Sequence, residues 1–476
     1  MSDTRALLNR IAQFRQRLEA MPRLVPTPEP VPSPATESRP PKAEPASRTQ
    51  AILGSSLRDL AGTAGTNPPA LVNRARRLLA EAQGLVARLK ATADDPLLAG
   101  PPAADTAADP LAVHYRETAA LTGAAVRYAL TFPEAAEEQT RLCEGLEGIL
   151  GAARRRFDQM AATVERRRTD LGRIDALARI LVALNEDGDP LDPAPVFALA
   201  DETLAEEPGR PLRFLAAEVA STRGYLGGPE VPAPARFVAA HGLNCASVLA
   251  RVARNDPDWC GDARDLVAAA LLHDVGMLRV DVGLLAFPGP LDAAARHAID
   301  GHAIAGAERI RARMPGLSAA AEVAARHHDR PAGDQDSPMT RLVAAADVYA
   351  ALCVPRPHRP ASDPRAALTD VLLLGERGEL DRYSTERLLA LGLYPAGTVV
   401  ELADGSTAVV VAARDPRDAI PAAARPPVAV LADPDGRPLP SPRFLDLAGV
   451  AAGAVVRTLE PGDRLRILGR SYPEWA

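Results

Sequence analysis

Any fold this chain adopts has to accommodate the stretch LVAAALLHDVGM, residues 266–277. Seven uninterrupted apolar residues, 266–272, run directly into His273 and Asp274. Such a run belongs in a core, so the imidazole and carboxylate behind it are delivered into an apolar interior. An ionised carboxylate left there alone costs on the order of several kcal/mol. Compensating groups must therefore converge on this point from elsewhere in the chain.

The histidines are distributed to do so. Of eight in the chain, six fall between 241 and 328, among them His241, His273, His302, His327 and His328. In FVAAHGLNCASVLARV, His241 shares a helical face with Phe237, Val248 and Val252, so its ring points inwards. His302 lies in the stripe Ile299–His302–Gly306–Ile310, where Gly306 leaves room for another backbone. His327 and His328 close the helix LSAAAEVAARHH, and successive helical side chains diverge by about 100°, which lets the pair reach two adjacent sites. Asp347, in RLVAAADVYAALC, shares a face with Val343, Ala350, Ala351 and Val354. That stripe holds no lysine or arginine, and a bound metal ion is the economical neutralising charge. His114, His297 and His358 read as surface residues.

Five imidazoles and two carboxylates without thiolate form a ligand set for iron, manganese or a similar divalent ion. Seven ligands exceed the needs of one ion and suit a pair bridged by Asp274. Two adjacent ions lower the pKa of a water and clamp an in-line displacement at phosphorus, so phosphoester hydrolysis is the expected chemistry, with Asp274 catalytic.

At 476 residues the chain is expected to hold several modules. Residues 1–21 read as a short amphipathic helix and 22–50, proline-rich, as an extended disordered linker. Residues 51–228 carry helical patterning, including a long charged-and-apolar segment over 137–184 suited to a bundle or a homodimer. Residues 229–392 hold the histidines. Alternating β-branched runs around DG turns mark 393–476 as a small β-rich module ending near GDRLRILG. The fold class expected is mainly α, an all-helical metal-binding core between a helical N-terminal region and this module. The N-terminus lacks a signal-peptide pattern and no run approaches the roughly 18 apolar residues of a membrane span, so a cytoplasmic protein is expected. A net charge of −6 argues against a nucleic-acid polymer as partner. Four scattered cysteines, Cys143, Cys245, Cys260 and Cys353, read as reduced thiols.

The ordered signature His241, His273–Asp274, His302, His327–His328, Asp347 resembles the HD superfamily of metal-dependent phosphohydrolases, and within it the HD-GYP branch that hydrolyses cyclic di-GMP. LLHDVGM is similar to the branch's HDxGK element, and RLVAAADVYAALCVPRPHRP to the segment carrying its final aspartate. The resemblance spans about 230–430. It implies an all-helical core, a phosphodiester or nucleotide substrate, and two metals: one held by His241, His273, Asp274 and Asp347, the other by Asp274, His302, His327 and His328. Phe237 stands where the trimetal subgroup has a glutamate. Met277 stands where the branch has its phosphate-contacting lysine, and HHDRPAGDQDSPMTRL contains no Gly-Tyr-Pro. These departures fall on substrate contacts and leave the ligands complete. Arg279, Arg330 and Arg341 are the replacement cations expected to bind substrate. The same departures support an alternative, a catalytically degenerate signalling or scaffolding protein that keeps its metals.

Overall fold

Proline at the first helical position costs no hydrogen bond, because that amide has no intrahelical partner. After the TNPPA break the chain accordingly enters helix α1 at its second proline (Pro69–Ala93). The computed structural model describes residues 69–95, 97–98, 110–129, 136–206, 212, 214–215, 231–329, 336–356, 359–412, 424–450, 454–468 and 472. The amphipathic helix expected at 1–21 and the linker expected at 22–50 lie outside these residues. Two compact units are present.

The first unit is built from α1, most of α2 (Pro110–Ala129) and the first half of the 50-residue helix α3 (Ala136–Asn185). Its core includes Leu79, Leu85 and Leu89 of α1, Tyr115 and Ala119 of α2, and Leu146 and Leu150 of α3. Tyr115 meets Phe157 edge-on at 6.0 Å between ring centroids. Arg74 pairs with Glu147 and Glu81 with Arg154, at 2.7 and 2.8 Å. Both partners advance by one heptad, so α1 and α3 run parallel here. Such exposed pairs contribute little and report register more than stability.

The second unit contains the rest of α3 and the helices α4 (Ala194–Leu204), α5 (Ala233–Asn255), α6 (Ala263–Leu272), α7 (Val282–Leu285), α8 (Ala293–Asp300), α9 (His302–Arg313), α10 (Ser318–Arg326), α11 (Pro338–Leu352), α12 (Pro364–Glu376) and α13 (Arg382–Arg387). A 3-10 segment, Val275–Arg279, follows α6. Helix starts follow from local chemistry. Ser337, Asp363, Asp292 and Asp381 each accept a hydrogen bond from an amide of the turn they precede, and Pro338 and Pro364 occupy first helical positions. The seven consecutive apolar residues 266–272 of α6 are all buried, because α4, α5 and α10 pack around it. Gly242 permits a close approach of α5 to α6: a Cβ there would lie 2.9 Å from the Leu271 carbonyl oxygen.

The stripe expected from Ile299 to Ile310 is interrupted. Helix α8 ends at Asp300 and α9 begins at His302, with Gly301 between them. His302 thus opens its own helix, and Ile299 contributes a backbone carbonyl to it instead of a neighbouring side chain. Gly306 does admit a second backbone, since a Cβ there would stand 3.0 Å from the Gly276 amide nitrogen.

One buried ion pair joins α3 to α5: Arg236 Nε donates to Asp175 Oδ1 at 2.6 Å, with both side chains at most a tenth exposed. Removing Asp175 takes a carboxylate partner from the buried Arg236. Asp175→Ala is therefore expected to cost about 3–5 kcal/mol, read as a lowered denaturation midpoint, while Asp175→Leu combined with Arg236→Met recovers most of the loss. Equal loss in the single and double variants contradicts the pairing.

The C-terminal module is an antiparallel sheet of β1 (Val399–Leu402), β2 (Thr407–Val410), β3 (Pro427–Ala432), β4 (Pro438–Asp446) and β5 (Val455–Thr458), ordered β4-β3-β2-β1-β5. The two DG turns close β1–β2 and β3–β4, with Gly405 and Gly436 at φ +83° and +74°. Both faces are covered, which explains why β3 reads as continuous apolar residues: Val428 and Val430 join Tyr394 and Leu447 on one side, Ala429 and Leu431 join Leu459 and Tyr472 on the other. GDRLRILG does not extend the sheet. Pro461 at the start, Asp463 in the first turn and Arg466 in the last make it helix α14 (Pro461–Leu468), whose Leu468 buries against the second face. The protein is mainly α with a small C-terminal β module, and no helix among the described residues is long and apolar enough to cross a membrane.

Candidate metal centre

The apolar run of α6 ends at His273, and the chain turns at Asp274 into the 3-10 segment. That turn is held from outside. The Asn185 side-chain amide, at the end of α3, donates to the Val275 carbonyl at 3.0 Å, and Arg309 of α9 donates to the Asn185 carbonyl at 2.7 Å. His241 projects from α5, His302 from the first turn of α9, His327 and His328 from the end of α10, and Asp347 from the buried face of α11. All seven residues expected to bind metal come together.

Together with Cys245 they form two adjacent donor groups: His241, Cys245, His273 and Asp347, and Asp274, His302, His327 and His328. Within each group the ligand atoms lie within 4.8 Å of one another. Asp274 connects them. Its Oδ2 lies 3.7 Å from His241 Nε2 and 3.6 Å from His273 Nε2, while its Oδ1 lies 3.1 Å from His302 Nε2 and 3.4 Å from His327 Nε2. One carboxylate thus turns each oxygen towards a different pair of imidazoles.

The histidine tautomers fit metal ligation. Nδ1 of His273 donates to the Ala270 carbonyl at 2.8 Å, that of His302 to Ile299 at 2.5 Å, and that of His327 to Ala324 at 3.0 Å. A backbone bond at Nδ1 leaves the lone pair on Nε2, the arrangement that orients a ligating imidazole. His302 and His327 nevertheless face one another Nε2 to Nε2 at 3.4 Å, and the buried His273 Nε2 has no hydrogen-bond partner. Lone pairs converging in this way are explained by a cation between them.

Without ions, protons take that role. Burial opposes charge at His273, but Asp274 and Asp347 outweigh it and raise the ring to about 9. Burial likewise opposes ionisation of Asp274 and Asp347, yet the surrounding imidazoles hold both well below the usual carboxylate range. His328 is different: desolvation and the adjacent His327 push it down to about 4, which keeps it neutral at the exposed rim of the group. Metal entry must displace the His273 proton. Metal uptake at pH 7 is therefore expected to release at least one proton per chain, and to tighten as pH rises towards about 9. Titration calorimetry in buffers of different ionisation enthalpy measures this; uptake with no proton release contradicts the charge assignment.

The expected substrate cations are placed less uniformly. Arg279 ends the 3-10 segment and is exposed, Arg341 stands 3.7 Å from Asp381 in a polar pocket with Arg326 and Asp336, and Arg330 lies outside the described residues. Met277 is 9% exposed and its amide donates to the Asp274 carbonyl at 2.9 Å. Cys245 is the member of the centre not anticipated from the sequence. It lies four residues after His241, one helical turn along the same face, and that spacing was the available signal.

The HD domain family matches residues 238–352, a span that holds every one of these ligands. Residues 238–352 form an HD domain. Over 143 residues the chain is 34% identical to 3'3'-cGAMP-specific phosphodiesterase 3 of Vibrio cholerae, a match covering 28% of this chain and 31% of that protein. The chain thus spans about a third of the length of the curated relative it matches.

Proposed function

We propose that this chain is a two-metal phosphodiesterase acting on a cyclic dinucleotide, cyclic di-GMP, 3'3'-cGAMP or a related nucleotide. The observation that carries the reading is the division of the Asp274 carboxylate between two imidazole groups. A single structural ion would need four ligands, and a bridged pair uses all seven. Asp274, with His241, His273 and Asp347 on one side and His302, His327 and His328 on the other, would hold two ions of iron, manganese or a similar metal. When bound, such ions activate water and polarise a phosphoryl oxygen for in-line displacement. The chain's own part is to fix the ligands. Buried backbone carbonyls lock the rings, and the apolar walls of α5, α6 and α11 exclude competing water. Arg279 and Arg341 are the described cations proposed to meet substrate phosphates. The relative's preference for 3'3'-cGAMP supports the substrate class.

The test is hydrolysis of 3'3'-cGAMP, cyclic di-GMP and bis-p-nitrophenyl phosphate by manganese- or iron(II)-loaded protein. Cleavage of a dinucleotide that is absent from metal-free protein supports the proposal, whereas a fully loaded protein inert towards all three refutes it.

Met277 favours a second reading, an HD module that binds metal and signals without turnover. A buried thioether replaces a cation beside the HD turn. Restoring charge separates the two: if only that cation limits the site, Met277→Lys should raise dinucleotide turnover by about tenfold or more, since a positioned charge commonly matters by orders of magnitude. Unchanged, absent turnover in a metal-loaded Met277→Lys variant supports the non-catalytic module.

A further inference from the structure

We propose that Cys245 is a metal ligand, so that the group around His241 and His273 is a mixed thiolate–imidazole–carboxylate site and its neighbour an imidazole–carboxylate site. The inference rests on the two-metal reading of the centre and deepens it.

Cys245 is fully buried on α5, one turn beyond His241, and its Sγ lies 3.8 Å from His241 Nε2. In a tetrahedral site with metal–sulfur and metal–nitrogen bonds of about 2.3 and 2.05 Å, sulfur and nitrogen stand about 3.6 Å apart. The observed separation, also that of a thiol–imidazole hydrogen bond, matches two ligands of one ion. Sγ, a ring nitrogen each of His241 and His273, and an Asp347 oxygen all lie within 4.8 Å of one another. The second, independent observation is the His273 Nε2, buried and without a hydrogen-bond partner, directed into the same group. Burial and the charges of Asp347 and Asp274 keep the free thiol protonated, so it is no nucleophile in the metal-free protein. On metal entry the thiol proton leaves to solvent or buffer as the metal–sulfur bond forms, with no change of oxidation state.

The consequence is selectivity. Thiolate is a soft donor that favours zinc and iron over magnesium and manganese, whereas Asp274, His302, His327 and His328 offer only nitrogen and oxygen. The two positions would take up different metals from a mixture, the thiolate position preferring zinc or iron(II).

Cobalt(II) reports this directly. Wild-type protein loaded with cobalt should show visible d–d bands together with a near-ultraviolet thiolate-to-cobalt charge-transfer band, and Cys245→Ser should lose the second while keeping the first. Apparent affinity at that position should fall by about tenfold or more, as for lost ligand support generally. Should Cys245→Ser fold poorly, X-ray absorption of the wild-type cobalt protein decides alone, through a sulfur scatterer at about 2.3 Å. Bound cobalt without a charge-transfer band or sulfur scatterer overturns the inference, as does a band that persists in Cys245→Ser. No cobalt uptake at all refutes the two-metal centre itself, and this inference with it.

Discussion

Asp274→Ala is expected to reduce phosphodiester hydrolysis by at least about a thousandfold and to lower metal content from two ions per chain to one or none. Losing a single electrostatic stabiliser of a transition state commonly costs 10²–10³, and in the proposed two-metal centre the shared ligand of both ions goes with it. The geometry makes the effect double-sided. Oδ1 serves His302 and His327, Oδ2 serves His241 and His273, and no other carboxylate reaches both pairs among the described contacts. Asp347→Ala is the comparison: it removes a carboxylate from the His241 and His273 group only, 2.7 Å from His241 Nε2 and 3.9 Å from His273 Nε2, and should leave the ion at His302, His327 and His328 in place. Metal analysis beside hydrolysis of bis-p-nitrophenyl phosphate checks both variants. An Asp274→Ala protein that keeps two ions and its rate removes the bridge from the account.

The second large effect falls on a residue with no chemistry of its own. Gly276, two residues after Asp274, packs against the first turn of α9 so closely that a Cβ would overlap the His302 carbonyl oxygen and lie 2.7 Å from the Gly306 nitrogen. Both obstacles are backbone, so no rotamer change relieves them. Gly276→Ala must separate the segment carrying Asp274 from the helix carrying His302. Overpacking in a dense core costs about 1–3 kcal/mol or more, and the displaced ligands should also cost the protein its metal. Gly172→Ala is the control. Its Cβ would meet nothing within 4 Å in the middle of α3, and replacing a helix-interior glycine gains about 0.5–1 kcal/mol. Denaturation midpoints and metal retention measure both, and a Gly276→Ala protein as stable and as metal-rich as wild type contradicts the packing account.

The convergence of these seven side chains was legible because several of them interrupt or end an otherwise apolar helical run, and 3.6-residue periodicity states which side chains turn inwards. Asp347 among alanines and valines is the clearest case. Order along the chain did the rest, since no single histidine distinguishes a ligand from a hydrogen-bonded core residue. Cys245 escaped notice for a physical reason: a buried cysteine packs as a small apolar side chain, so its place on the His241 face gave no conflict to explain. The break at Gly301 was also hidden. Residues on both sides keep helical spacing, and only the backbone shows that His302 begins a new helix whose Nδ1 is locked by the preceding turn. At the C-terminus, β-branched alternation identified the hairpins, but α14 was absorbed into the module because its helical signals occupy only eight residues.

Elemental analysis of the full chain after reconstitution with iron(II) or manganese and removal of unbound ions tests the two-metal centre most directly. Two ions per chain, falling to one or none in Asp274→Ala, is the predicted result. A chain that retains no metal, or that retains two with Asp274 removed, would contradict it.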